Sequence, residues 1–266
     1  MACFRMHFKN KIIERRLVMF LLQILYDRIF YTGDIHAGES VKRLKRIARF
    51  CKEYNTTKKD LLVILGDSGI NYLGQSTQGD RDKVKKEFLA SLPITILCIH
   101  GNHEMRPYKV FTYQEVLWNG GIVYMDPLYP YLMFAKDGEI YDFNGKKAIA
   151  IGGAYSVDKE YRIVSHWPWW DDEQPSDEVK QYVEEQLENH NWKIDIVMSH
   201  TVPLKYVPTE AFLPGINQEA VDKSTEKWLK KIEENLKYYE AWFAGHYHIQ
   251  KKIDKLQILY KNYVEL

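Results

Sequence analysis

Eight residues in five short stretches carry most of the reactive chemistry of this 266-residue chain. They are Asp34 and His36 in GDIHAG, Asp67 in GDSGIN, Asn102 and His103 in HGNHE, His200 after IDIVMS, and His246 and His248 in GHYH. Aspartate, asparagine and neutral histidine supply oxygen and nitrogen ligands suited to Mn, Fe, Zn or Mg, and no thiolate among them asks for a softer metal. A carboxylate has two oxygens and can bridge two ions, which one imidazole nitrogen cannot do. Two divalent ions, less two aspartates and a bridging hydroxide, leave about one positive charge, which favours an incoming phosphate anion. A pair of ions would also acidify a shared water and stabilise charge on the attacked centre.

Each stretch begins where a short apolar run ends. RIFYT (28–32), LLVIL (61–65), ITILCI (94–99), AIAI (148–151), IDIVMS (194–199) and AWFA (241–244) read as strands. Helical patterns follow several of them. SVKRLKRIARFCKEY opens on Ser40 as a plausible N-cap, SDEVKQYVEEQLE carries acidic residues at its start, and STEKWLKKIEENLKYY opens on Ser224 as a further cap. Strands alternating with helices predict a layered α/β architecture. Between 121 and 147 the pattern changes to closely spaced hairpin-like pieces, with Lys-Asp-Gly and Asn-Gly-Lys as turn signals. No linker or repeat divides the chain, so one domain over 28–266 is expected. Ligands in open α/β sheets bind beyond the carboxyl ends of the strands, and the five loops are therefore expected to converge on one site.

GDIHAG, GDSGIN, GNHE, the Ser-His pair at 199–200 and GHYH resemble, in order and in strand-end placement, the motifs of calcineurin-like metallophosphoesterases. The resemblance runs from about Arg28 to Ile253 and implies a sandwich of mixed sheets flanked by helices, in α/β/β/α layers. It also implies two divalent metal ions, manganese favoured, and hydrolysis of a phosphomonoester or phosphodiester by metal-activated hydroxide. Asp34, His36 and His248 would bind the first metal, Asp67 would bridge, and Asn102, His200 and His246 would bind the second. His103 would assist the leaving group as proton donor or transition-state stabiliser.

The departures matter as well. Ala37 stands where a glycine is usual. The phosphoprotein phosphatase branch reads GDxxDRG and RGNHE, whereas this chain has Ile70 and Asn71, and then His100, at those places. The Asp that orients the catalytic histidine and the Arg residues that grip phosphate are thus missing there, which points to the bacterial-type members rather than a protein phosphatase. Arg106, His100, Asn71 and Arg162 are the candidate substrate contacts. GGAYSVDKEYR (152–162) and the three tryptophans of SHWPWWDDEQP (165–175) are expected near the pocket, the tryptophans chiefly as packing. His7, His166 and His190 read as structural or surface groups.

A formal net charge of +1 argues against a broad basic nucleic-acid surface. A small-molecule or nucleotide phosphoester is the expected partner. A nuclease of the same fold, or a non-catalytic scaffold that binds a protein partner, are the alternatives; a scaffold should show eroded ligands, and none of the seven ligand positions is eroded. Cys3, Cys51 and Cys98 are odd in number and far apart, the usage of a reducing, cytoplasmic setting. Residues 1–27, basic and then apolar over LVMFLLQIL, begin like a secretory signal, but the apolar run is too short to span a bilayer and no cleavage site follows. They are expected to form a helical extension or to lie upstream of the original start, with no membrane anchor.

Overall fold

Each of the six apolar runs becomes a strand with both faces covered, in a computed structural model that describes residues 23–38, 41–76, 79–212 and 214–266. Most of the expected extension, together with Ser40 and Cys3, lies outside the described residues. In chain order the strands are β1 (Arg28–Thr32), β2 (Asp60–Ile64), the paired β3 (Gln75–Ser76) and β4 (Gly79–Asp80), β5 (Thr95–Cys98), β6 (Gln114–Trp118), β7 (Gly121–Met125) and β8 (Leu132–Ala135). They continue with β9 (Ile140–Phe143), β10 (Lys146–Ile151), β11 (Ile196–Ser199), β12 (Ala241–Ala244), β13 (Lys251–Ile253), β14 (Leu256–Ile258) and β15 (Val264–Glu265). The α-helices among the described residues are α1 (Lys45–Tyr54), α2 (Lys83–Ser91), α3 (Lys159–Val164), α4 (Asp177–Asn189) and α5 (Ser224–Asn235).

Two mixed sheets result. One has the order β15-β1-β2-β5-β8-β7-β6 and the other β13-β14-β12-β11-β10-β9. Alternate side chains of a strand enter different cores, which is why the runs are apolar throughout. Tyr31, Leu61, Val63, Leu97, Ala150, Met198 and Phe243 meet between the sheets, where the rings of Tyr31 and Phe243 stack 4.1 Å apart. Phe30, Leu62, Ile64 and Ile96 pack outward with Ile47, Phe50 and Leu89 of α1 and α2. Ile149, Ile151, Val197 and Trp242 pack on the opposite outer face with Val183 and Leu187 of α4 and Leu229 and Ile232 of α5. The layers are α/β/β/α. Tyr26, on the extension side of Arg28, is 4% exposed and belongs to the inter-sheet core.

The register aligns the strand ends that matter. β1, β2 and β5 run parallel, with Thr32 opposite Ile64 and Ile64 opposite Cys98. β10, β11 and β12 run parallel too, with Ile151 opposite Ser199 and Ser199 opposite Ala244. The loops that follow therefore start level with one another along one edge of the sandwich.

Local signals fared differently. Ser176 caps α4, its hydroxyl accepting from Val179 N at 3.3 Å. Ser224 does not cap α5. Its hydroxyl bonds to Gln174, and Asp222 Oδ1 accepts from the Ser224 amide instead. α1 begins at Lys45, later than the sequence pattern. Asn144-Gly145 forms the β9–β10 turn with both φ angles positive, as an Asn-Gly hairpin requires. The Lys-Asp-Gly turn, by contrast, carries the chain from β8 in one sheet to β9 in the other.

Candidate metal centre

All seven expected ligands and His103 come together at that edge. Asp34 and His36 follow β1, Asp67 follows β2, Asn102 and His103 follow β5, His200 follows β11, and His246 and His248 follow β12. Four of these positions, His36, Asp67, His246 and His248, have positive φ, between 45° and 71°. At about 1 kcal/mol each such backbone costs about 4 kcal/mol in all, a sizeable part of a typical domain's stability. The tight packing explains the glycines of the motifs. A Cβ on Gly66 would lie 2.0 Å from His200 Nδ1, and one on Gly101 would lie 2.1 Å from Asp67 Oδ1.

The donor atoms fall into two groups that share Asp67. In one, His36 Nε2 lies 2.7 Å from His248 Nε2 and 3.5 Å from Asp67 Oδ2, while His248 Nε2 lies 3.4 Å from Asp34 Oδ2. In the other, Asn102 Oδ1 lies 2.8 Å from His200 Nε2 and 3.1 Å from His246 Nδ1, and His200 Nε2 is 3.7 Å from Asp67 Oδ2. Asp34, His36 and His248 form a candidate metal-holding group, and so do Asp34, Asp67 and His200.

Four of the donors, those of His200, Asn102, Asp67 and Asp34, are oriented by another atom of the same side-chain group. His200 Nδ1 donates to Leu65 O at 2.8 Å, so in the neutral ring Nε2 carries a lone pair. Asn102 Nδ2 donates to Ser156 Oγ at 2.8 Å, so Oδ1 is the atom facing the histidines. Two acceptors 2.8 Å apart repel unless a cation lies between them. Asp67 Oδ1 accepts from His103 N at 2.8 Å and Asp34 Oδ1 from His246 N at 3.1 Å, leaving each Oδ2 toward the cluster. Asp34 Oδ2 is buried without a hydrogen-bond partner. Burial and the nearby Asp67 charge push the Asp34 carboxyl well above its ordinary range. Burial also holds the imidazoles of His36, His246 and His248 below the usual histidine range, His36 at about 4, the neutral form that a ligand needs. An unpartnered carboxylate oxygen, facing acceptors and neutral imidazoles fit divalent cations.

Other residues brace the loops, and the sequence reading misses them. Glu104 takes hydrogen bonds from Ser68 Oγ, Gly69 N and Gly101 N, tying the second motif to the third; burial, with Asp67 nearby, raises its pKa to about 7. Lys85 of α2 is buried and donates to the carbonyls of Gly38 and Gly69. Arg46 of α1 donates to the carbonyls of Gly33, Asp34 and Tyr260. Glu104 sits inside the quoted GNHE motif, so its position is a usable signal. Lys85 and Arg46 look like ordinary solvated helix charges in sequence.

Two clefts open on the cluster. A cavity of about 380 Å³ is lined by His36, Asp67 and His103 together with Arg43, Arg162 and Trp167. A second, of about 400 Å³, also reaches Asp67 and His103 and extends past Asn102, His246 and Asp158. Arg162 thus joins the site, its Nη2 3.4 Å from His103 Nε2, while its Nε donates to Asp158 at 2.8 Å. Asp158 Oδ1 stands 3.9 Å from the same histidine nitrogen. An acidic partner for His103 therefore exists, supplied by the loop after β10 and not by position 70.

Arg106, His100 and Asn71 line neither cleft. Arg106 is 4% exposed and is engaged by Asp137 and the Asp172 carbonyl. His100 Nε2 bonds to Glu104 O, and Asn71 Oδ1 accepts from Tyr113. Of the tryptophans, Trp167 lines the smaller cleft edge-on to Tyr161, Trp169 bonds to Glu173, and Trp170 packs over Gly74. Lys159 lies 4.6 Å from the Trp169 ring centre.

Fold and site together define an α/β/β/α protein with a histidine- and carboxylate-rich candidate metal centre. Residues 27–250 match the model of the calcineurin-like phosphoesterases, and the chain belongs to that family. Compared with curated protein sequences, it has no match. Among solved structures it is similar to the protein TT1561 of Thermus thermophilus, at 10% identity and a TM-score of 0.49, over 87% of this chain and 88% of that one. No helix among the described residues is long and apolar enough to cross a membrane.

Proposed function

We propose that the chain is a dinuclear-metal-dependent phosphoesterase acting on a small-molecule or nucleotide phosphomonoester or phosphodiester, with manganese as the favoured metal. The observation that carries the reading is the convergence of Asn102 Oδ1, His200 Nε2 and His246 Nδ1 within 2.8 and 3.1 Å, where the Leu65 carbonyl fixes the His200 tautomer with its lone pair toward the Asn102 oxygen. Asp34, His36 and His248 would hold one ion and Asn102, His200 and His246 the other, with Asp67 common to both. When bound, the ions would bring the pKa of a water toward neutrality and offset phosphate charge.

The remaining work falls to the chain itself. His103 faces both clefts and would pass a proton to the departing oxygen. Burial holds its pKa down, Asp67 and Asp158 draw it up, and Arg162 opposes them. An arriving phosphate anion would favour the imidazolium at the moment it is needed. Arg162 supplies a fixed positive charge beside that nitrogen. With Ile70 and Asn71 in the second motif and His100 before the third, the reading favours a branch other than the protein phosphatases. The free, buried Cys51 and Cys98 agree with a reducing, cytoplasmic setting.

The test is hydrolysis of p-nitrophenyl phosphate and its bis ester by manganese-loaded protein. At least one is expected to be cleaved, and Asp67→Asn to abolish cleavage. Cleavage of neither, with Asp67→Asn changing nothing, would contradict the proposal.

A further inference from the structure

The two clefts that meet at His103 differ in chemistry. Around the smaller one stand Arg43, Arg162 and Tyr72, a polar and cationic surround. The larger is polar at its inner end, beside Asp67, Asn102 and His103, and mainly apolar beyond it. Outward its walls are Tyr155, Val207, Phe212, Ile216, Val221 and Tyr247. Several polar groups on those walls already have a partner within the protein. Asp222 accepts from Gln174 and the Ser224 amide, Glu226 from Thr201, and Asp158 from Arg162, while Lys223 donates to the Gln218 carbonyl. What the chamber offers an occupant is therefore mostly apolar surface. Its 400 Å³ equals roughly a dozen water-sized volumes, within the range of small-molecule sites.

We propose that this chamber receives the organic arm of the substrate, and that the arm is an apolar alkyl or aryl group. The inference rests on the phosphoesterase reading, because the chamber is continuous with the cluster and whatever fills it must adjoin the phosphorus. A sugar or a string of phosphates would lose its hydration against the apolar part of these walls, at a cost of about 1–3 kcal/mol per unmatched polar group. An apolar arm gains on entry. Each methylene removed from water strengthens binding about three- to fourfold.

The test is calorimetric titration of the manganese-loaded protein with methyl-, butyl- and octylphosphonate, which cannot be hydrolysed. The expected result is a Kd that falls about three- to fourfold per methylene until the chamber is full, with an increasingly negative heat-capacity change. In Phe212→Asp and in Val221→Asp the octyl-to-methyl ratio of Kd is expected to collapse by at least about tenfold, since a buried unpaired charge opposes the chain. Equal binding of methyl and octyl compounds by the wild type, absence of octylphosphonate binding, or a ratio that survives in both variants would each overturn the inference. The outcomes separate from those of the activity test. A flat series with p-nitrophenyl phosphate still hydrolysed sinks the chamber and leaves the activity; a steep series without hydrolysis of any ester does the reverse.

Discussion

Two neighbouring parts of one loop are built on opposite terms. At four of the proposed ligands, Asn102, His200, Asp67 and Asp34, the atom not facing the cluster is tied down by Ser156 Oγ, Leu65 O, His103 N and His246 N in turn. One residue further on, His103 Nδ1 is buried without a hydrogen-bond partner, and Nε2 has loose neighbours at 3.2, 3.4 and 3.9 Å in Asn102, Arg162 and Asp158. A metal ligand must present a fixed lone pair, and strained backbone at four of the positions is the cost of fixing them. A proton-transferring group must change partners during the reaction, so tight bonds to it would hold the proton in place. The contrast separates residues that hold from a residue that moves charge.

The contrast breaks first at the shared ligand. Asp67→Asn is expected to remove both activity and metal, exceeding the about 10–100-fold losses that follow removal of a ligand's outer partner. His103→Ala should cost about 10²–10⁴-fold in kcat while metal content stays that of the wild type. Equal metal loss in the two variants, read by elemental analysis, would erase the distinction. Ser156→Ala lies between the two regions, because it frees the Asn102 amide without touching any donor. It should weaken one metal site by about 10–100-fold and leave the other, seen as two separated steps in a manganese titration.

The smallest effect is on the pH profile. If His103 donates a proton, activity falls as pH rises through its pKa. Asp158 raises that pKa and Arg162 lowers it. Asp158→Asn should therefore shift the falling limb to lower pH, and Arg162→Met should shift it to higher pH, with kcat measured across the range in each variant. Shifts of the same sign would show that neither charge acts on this histidine.

Much of the cluster is legible in the sequence because its signals are local. An apolar strand followed at once by Gly-Asp, Gly-Asn-His or Gly-His places a donor at a strand end, and parallel register does the rest. The reason for the glycines is not legible, since Gly66 is dictated by His200 and Gly101 by Asp67, each distant in sequence. Asp158 escapes for a similar reason. Its role depends on the loop after β10 folding over the loop after β5, and no spacing rule connects them. Arg106 misleads in the opposite direction: adjacency to the GNHE motif suggests the cluster, but its chain turns away to Asp137, on the β8–β9 connection. The Lys-Asp-Gly turn reads as a hairpin, yet it joins two sheets, because turn chemistry sets a local reversal and not which strands pair.

The central claim is that two groups of donors share Asp67, and metal stoichiometry tests it most directly. Manganese-reconstituted wild type, freed of excess metal and measured by elemental analysis, is expected to hold two ions per chain, with His246→Ala keeping the one bound by Asp34, His36 and His248. A wild type that saturates at a single ion, or a His246→Ala variant that still holds two, would contradict the account.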